Sequence, residues 1–214
     1  MADASNLEDA REDIRILLDR GYRKCSALSF ISDHYRLDRR QRNRLLREVY
    51  SYDEMKSTKA KLKPIEAVKG RELVIDGFNV VITVEAGRSG GEVFPCQDGM
   101  MRDNTMAFSN YKVGEGTENA VDAVVQALAK HRPSHITWVF DSQIPKSGRL
   151  AEYVRERMTE AGLEGDANTA KNADGTILKL NKTTATSDSA LIRKLEGVLD
   201  LPAAILQDKS PKRP

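Results

Sequence analysis

The sequence has little cysteine, no long apolar run and almost no excess of charge, and each shortage removes a class of explanation. Cys25 and Cys96 are its two cysteines, far apart and without a cysteine or histidine near either at zinc-ligand spacing, so neither a disulfide framework nor a structural zinc site is expected. Both read as core or half-buried thiols. No apolar stretch approaches the ~18 residues that a membrane span requires, and no membrane partner is expected. Residues 1–13 are acidic and polar, unlike the basic and apolar segments of a secretion signal, and the expected location is the cytoplasm. The formal net charge of +2 is too small to mark a nucleic-acid binder by its sum, so positive charge has to be sought in clusters. No internal repeat or low-complexity tract is visible.

What is present is an ordinary globular composition, 40% hydrophobic and 31% charged over 214 residues, enough for one α/β domain and a smaller module. Residues 7–50 have Gly21 as their one breaker and carry apolar residues at helical spacing (Ile14, Leu17 and Leu18; Ala27, Phe30 and Ile31; Leu45, Leu46 and Val49), which predicts three short helices. Asp38 is placed to cap the third. Arg36, Arg40, Arg44 and Arg47 fall at steps of four, four and three, a spacing that sets four guanidinium groups along one helical stripe, with Arg39 and Arg42 widening it. Lysines 56, 59, 61, 63 and 69 follow. The module is assigned to residues 1–55 and a basic linker to 56–70; together they form a candidate track for a phosphate backbone. A solvated arginine-rich face and a plain linker are the alternative reading.

Beyond the linker, short apolar runs alternate with helical stretches, which predicts strands joined by crossover helices and a mostly parallel sheet over residues 71–206. Strands are expected at 72–76, 136–141 and 183–188, with a last small one at 203–206. Helices are expected at 118–131, around Leu150 to Met158 with Gly162 as its C-terminal cap, at 174–180 and at 189–196. Between Val80 and Lys112 no element is assigned, since residues 80–84 read equally as strand or helix and Gly87, Gly90 and Gly91 then break the pattern, and the tail 207–214 is too polar to predict order.

In a parallel sheet, ligands bind in the crevice at the carboxyl ends of the strands. Asp76 follows Leu73, Val74 and Ile75; Asp141 follows Trp138, Val139 and Phe140; Asp188 follows Thr184 to Ser187; Asp174 opens the helix before that last strand. A lone aspartate at such a place is more often a turn former or cap, but four sharing one edge repel one another unless a cation compensates. Hard oxygen ligands suit Mg²⁺ or Mn²⁺, which activate water and stabilise charge on a phosphate. Asp122 reads as a polar helix flank, and Asp98 and Asp103 as weak further candidates.

The run Val74-Ile75-Asp76-Gly77-Phe78-Asn79 resembles the opening Asp-Gly-Tyr-Asn motif of NYN and related PIN-like nucleases. Val139-Phe140-Asp141 is similar to their mid-sheet Val-Phe-Asp, Thr186-Ser187-Asp188-Ser189 to their Thr-Ser-Asp, and Ala173-Asp174 with Ile177 to their Ala-Asp-x-x-Ile. The whole chain also resembles an uncharacterised archaeal and bacterial family in which a short helical domain with an Arg-Gly-Tyr motif, here Arg20-Gly21-Tyr22, precedes such a domain. The resemblance implies a three-layer α/β/α PIN-like, Rossmann-like fold after a small all-helical module. It also implies metal coordination by the first, third and last of these aspartates, with Asn79 holding the first loop or touching substrate; with the crowding of the four, Asp76, Asp141, Asp174 and Asp188 are together the expected ligands of Mg²⁺ or Mn²⁺. Phe78 replaces the usual tyrosine, and 87–116 has no clear counterpart. The resulting expectation is a metal-dependent endoribonuclease with catalytic Asp76, Asp141, Asp174, Asp188 and Asn79. In it Arg36, Arg40, Arg44 and Arg47 hold RNA, a substrate favoured over DNA by the resemblance alone. The alternative is a non-catalytic RNA-binding adaptor on the same fold. An aspartate-based phosphatase ranks below both, because its second aspartate would fall where Phe78 stands.

Overall fold

The structure, a computed structural model, describes residues 4–105 and 111–207; the polar tail expected at 207–214 lies outside them from residue 208 on, as do five residues of the 87–116 segment. The helical module is built from α1 (Ala4–Asp19), α2 (Lys24–His34) and α3 (Arg39–Glu48). Its own core gathers Ala10, Ile14 and Leu18 with Ala27, Ile31, Leu37, Leu45 and Val49, the spacing of an apolar helical face. Asp38 starts α3 with a capping box, its carboxylate accepting from the Gln41 amide at 2.8 Å while the Gln41 side chain accepts from the Asp38 amide at 2.9 Å.

The expected linker is instead ordered structure. Ser51 caps α4 (Tyr52–Lys61) through a second capping box with Glu54, and Leu62–Lys63 forms β1, which pairs in parallel with β8 (Val198–Leu199) at the edge of the sheet. Lys56, Lys59 and Lys61 lie on that helix and Lys63 on the edge strand rather than in a loose hinge, since periodicity over so few residues is easily hidden by charge.

The sheet has six parallel strands in the order β1-β8-β7-β2-β5-β6, with β2 at Glu72–Asp76, β5 at His135–Asp141, β6 at Gly165–Ala170 and β7 at Thr184–Ala185. Alternation along the strands assigns the faces. Leu73 and Ile75 of β2 and Ile136, Trp138 and Phe140 of β5 turn to one side, against α5 (Gly77–Arg88), α6 (Glu115–His131) and α7 (Ser147–Glu160). Val74 and Val139 turn to the other, against α8 (Ala173–Leu180) and α9 (Ser189–Lys194). This is a three-layer α/β/α architecture with a small helical module before it. Among the described residues no helix is long and apolar enough to cross a membrane.

Several elements differ from expectation. Residues 80–84 belong to helix α5, whose start is fixed by Gly77: any side chain there would overlap the Phe140 ring. Residues 203–206 are helical, within α10 (Leu201–Gln207), and the last strand lies just before, at β8. Asp200 opens α10 by accepting from the Ala203 amide at 2.9 Å, and Pro202 suits a first helical turn. The strand expected at 183–188 ends at Ala185, after which the chain turns. Strand β6 has no counterpart among the expected strands because Gly165–Ala170 buries only Ala167, as suits an edge strand. The stretch between Val80 and Lys112, unassigned from sequence, contains an antiparallel hairpin, β3 (Val93–Pro95) with β4 (Met101–Asp103). Cys96 is buried, but Cys25 is exposed, against the expectation of two sheltered thiols.

The hairpin is where the modules meet. Tyr50 packs with Phe94 and Cys96 and is 5% exposed, its ring held between Lys24 Nζ at 3.7 Å and the Arg102 guanidinium at 4.9 Å. Burial raises the Tyr50 phenol well above its ordinary pKa and lowers Lys24 to about 8. Truncating a buried aromatic of this size costs ~3 kcal/mol, at ~2–4 °C per kcal/mol for a chain of this length. Tyr50→Ala is therefore expected to lower the melting temperature by roughly 6–12 °C, and Tyr50→Phe by little; equal stability of all three proteins by thermal melting would mean that the modules do not support one another through this ring.

Candidate functional site

The strand order reverses direction at β2. From β2 the chain proceeds to β5 and β6 on one side, then crosses back through α8 to reach β7 on the other. Such a switch point leaves a crevice at the carboxyl ends of the strands. A cleft of about 430 Å³ lies there, lined by Asp76, Phe78, Asn79, Asp141, Gln143, Lys171, Asn172, Ala173, Asp174, Asp188 and Arg47. All four aspartates singled out in the sequence, and Asn79, thus share one wall. A larger cavity, about 690 Å³, opens at the opposite ends of the strands. Its charged residues are mixed in sign, and Glu72 pairs there with Lys182 at 2.9 Å; it offers no comparable convergence.

Asp76 is the last residue of β2 and is buried. Its Oδ2 accepts from the Thr186 hydroxyl at 2.8 Å. Burial above all, then the charges of Asp188 and Asp174, push its pKa up to about 7 against the pull of the Thr186 hydrogen bond. Asp174, in the first turn of α8, is also raised, by burial first and then by Asp188, with Asp141 adding a smaller share and Lys194 opposing. Asp188 uses Oδ1 to cap α9, accepting from the Ala190 and Leu191 amides at 2.7 and 2.9 Å, and Asp141 uses Oδ1 on the Gln143 amide at 2.8 Å. Asp141 and Asp188 are each oriented through Oδ1, whereas Asp76 is held by both the Thr186 hydroxyl and the Asn79 backbone.

The turn after β7 is fastened from several directions. Asn79 Oδ1 accepts from the Ser187 amide at 3.0 Å and the Ser187 hydroxyl at 2.6 Å; since the Ser187 amide can only donate, the Asn79 NH₂ must be the group turned away from it. Arg102 Nε donates to the Ser187 carbonyl at 2.9 Å while both of its terminal nitrogens grip Asp98 at 2.7 Å. Asp98 is therefore the buried partner of Arg102, and Asp103 that of Thr83, at 2.9 Å; neither lines the cleft. Asp122 is held by Tyr153 and Arg157 at 3.0 and 2.8 Å.

The donor set is all oxygen, which suits Mg²⁺ or Mn²⁺. Among the described residues, however, no three carboxylate, imidazole or thiolate groups stand close enough to clasp one ion. A cation here would be held directly by one or two carboxylates, with water completing its shell, as Mg²⁺ commonly is.

The arginine stripe does not face solvent as an open row. Arg36 precedes α3 and has a left-handed backbone, φ 52°. Arg40 and Arg44 both reach Glu92 beside the hairpin, at 2.9 and 3.1 Å, and Arg44 also bonds Glu48 at 3.1 Å. Arg47 lies 3.8 Å from Asp103 and lines the aspartate cleft. Helical spacing located the stripe but carries no information on what packs against it. Gln143 and Lys171, also in the lining, were not singled out in the sequence. Gln143 is two residues after Asp141, and Lys171 follows the one strand, β6, whose polar sequence conceals it.

A family model described as a protein of unknown function, DUF434, matches residues 6–61, and one described as a domain of unknown function, DUF5616, matches residues 65–204. The chain is 37% identical over 204 residues to the uncharacterised protein MJ0935 of Methanocaldococcus jannaschii, covering 94% of this chain and 97% of that protein. No solved structure matches it. The boundary between the two matched regions falls at β1, and the second region contains the hairpin, every strand of the sheet except β1 and every aspartate of the cleft, so the chain belongs to the DUF5616 family, with a DUF434 module before it.

Proposed function

We propose that the protein is a metal-dependent endoribonuclease that hydrolyses phosphodiester bonds in the aspartate cleft. The observation that carries this reading is the convergence of Asp76, Asp141, Asp174 and Asp188 from four neighbouring strand ends on one cleft. Two of them are pushed up in pKa by burial and by each other. Carboxylates crowded in this way are costly for a fold that has no cation to bind. The four motifs similar to NYN and PIN-like nucleases support it, and the choice of RNA rests on that resemblance; the descriptions of the matching families name no activity.

Asp76, Asp174 and Asp188 are the residues assigned to the cation, one or two of them directly and the rest through its water shell, with Asp141 at the margin beside Asp174. A bound Mg²⁺ or Mn²⁺ supplies an activated water and takes up charge on the phosphate. Asn79 holds the Ser187 turn with its carbonyl oxygen and offers its NH₂ to substrate. A second reading, a non-catalytic RNA-binding adaptor, draws on the lack of three groups close enough to clasp an ion among the described residues; calorimetry with Mn²⁺ separates the two.

Asp76→Asn and Asp188→Asn keep an oxygen acceptor for Thr186 and for the α9 amides, and asparagine caps helices as well as aspartate. Both variants are therefore expected to fold while losing Mn²⁺-dependent cleavage of single-stranded RNA by about a hundredfold or more. Full activity of either variant, in preparations shown free of contaminating nuclease, would remove that residue from the site.

The raised pKa of Asp76 also fixes a sign. The folded protein binds the Asp76 proton more tightly than the unfolded chain does, so without metal its stability falls as pH rises from about 4 towards 7, and is lowest once the group is ionised. Asp76→Asn is expected to melt higher than the parent protein at pH 8 in chelator, and to gain less from added Mn²⁺. A lower melting temperature than the parent under those conditions would show that the ionised carboxylate is stabilised by groups other than a cation.

A further inference from the structure

The stripe on α3 divides by how its arginines are engaged. Arg40 donates from Nε to Glu92 at 2.9 Å, and Arg44 donates from Nε to Glu48 and from one terminal nitrogen to Glu92, both at 3.1 Å. Arg47, one turn further on, has a single charge contact, to Asp103 at 3.8 Å, which is too long for a hydrogen bond. Its Nε is buried without a hydrogen-bond partner among the described residues, while the side chain as a whole remains 26% exposed. Arg47 is among the residues that line the aspartate cleft. An arginine carries five N–H donors in a planar fork that matches a phosphate, and a fork with this little engagement on the wall of an acidic cleft has a clear electrostatic use. Four carboxylates repel any phosphate, and a divalent cation offsets only part of that repulsion.

We infer that Arg47 is the phosphate-binding residue of the cleft, supplied by the helical module to a site whose aspartates all belong to the other domain. The ligand class is a phosphate mono- or diester, and the inference rests on the reading of the cleft as a phosphodiester site. The DUF434 module is then part of the site itself. Arg47 forms one wall, and Lys171, from the turn between β6 and α8, supplies a second positive charge to the lining. Arg40, on the same helix but 76% exposed and paired with Glu92, is the internal control.

The test uses the full chain and inorganic phosphate, with and without Mg²⁺, and follows the Nε–H resonance of Arg47, assigned by its loss in Arg47→Gln. Phosphate is expected to shift that resonance. Its affinity, measured by calorimetry, is expected to fall roughly ten- to hundredfold in Arg47→Gln, less in Arg47→Lys, which keeps charge but loses the fork, and not at all in Arg40→Gln. In cleavage assays the same loss should appear mainly in KM if the contact is made equally in ground and transition states. An unmoved resonance, or equal phosphate affinity in all variants, overturns the inference and leaves Arg47 as a fastener between modules. Should Arg47→Gln fail to fold, the parent resonance and the lysine variant decide. RNA cleavage with an unmoved Arg47 sinks the inference alone; a phosphate-shifted Arg47 in a protein that neither binds Mn²⁺ nor cuts RNA upholds it and sinks the nuclease reading.

Discussion

Burial of one carboxylate at the end of a central strand is the constraint around which the rest is arranged. Asp76 ends β2, the strand flanked by β5 and β7, in a place where a charged group loses most of its hydration. The surroundings answer with specific partners rather than with an opposing salt bridge. Thr186 donates to it, and the turn that carries Thr186 is held by Asn79, three residues after Asp76. The two strand ends on either side of the switch point are thereby stitched together, and Asp188 arrives beside Asp76 already oriented by the amides of α9. Burial first, and then the neighbouring charges of Asp188 and Asp174, push the Asp76 pKa up to about 7.

The same turn links the modules. Arg102 holds the Ser187 carbonyl, is gripped by Asp98, and lies against the Tyr50 ring. One buried guanidinium therefore touches the helical module, the hairpin and the loop that presents Asp188. Removing either partner of such a buried pair costs several kcal/mol, ~3–5 in typical cases, because the other charge is left unpaired. The hairpin is thus a structural bridge that keeps the arginine-bearing helix and the aspartate cleft in fixed relation, which is why Arg47 can serve as part of the lining.

Much of this was legible in the sequence, for identifiable reasons. The four aspartates could be found because parallel strands buried on both faces read as short apolar runs, and a carboxylate directly after such a run stands out. The caps at Asp38 and Gly162 follow local rules, and the structure keeps both. Strand β6 was invisible because an edge strand with one buried side chain looks like a loop. α10 was misread because Ala203 to Leu206 is apolar enough for either element, and the capping Asp200 with Pro202 was the deciding signal. The fate of the arginine stripe was not readable at all: helical spacing places side chains on a face, but whether that face meets solvent or Glu92 depends on tertiary packing.

Whether the cleft was built for a cation is settled by crystals grown with Mn²⁺ and measured at the manganese absorption edge. An anomalous peak bounded by Asp76, Asp174 and Asp188 is the expected result. Crystals of the saturated protein with no peak in that cleft, or with manganese bound only elsewhere, would contradict the reading of the aspartates as a metal site.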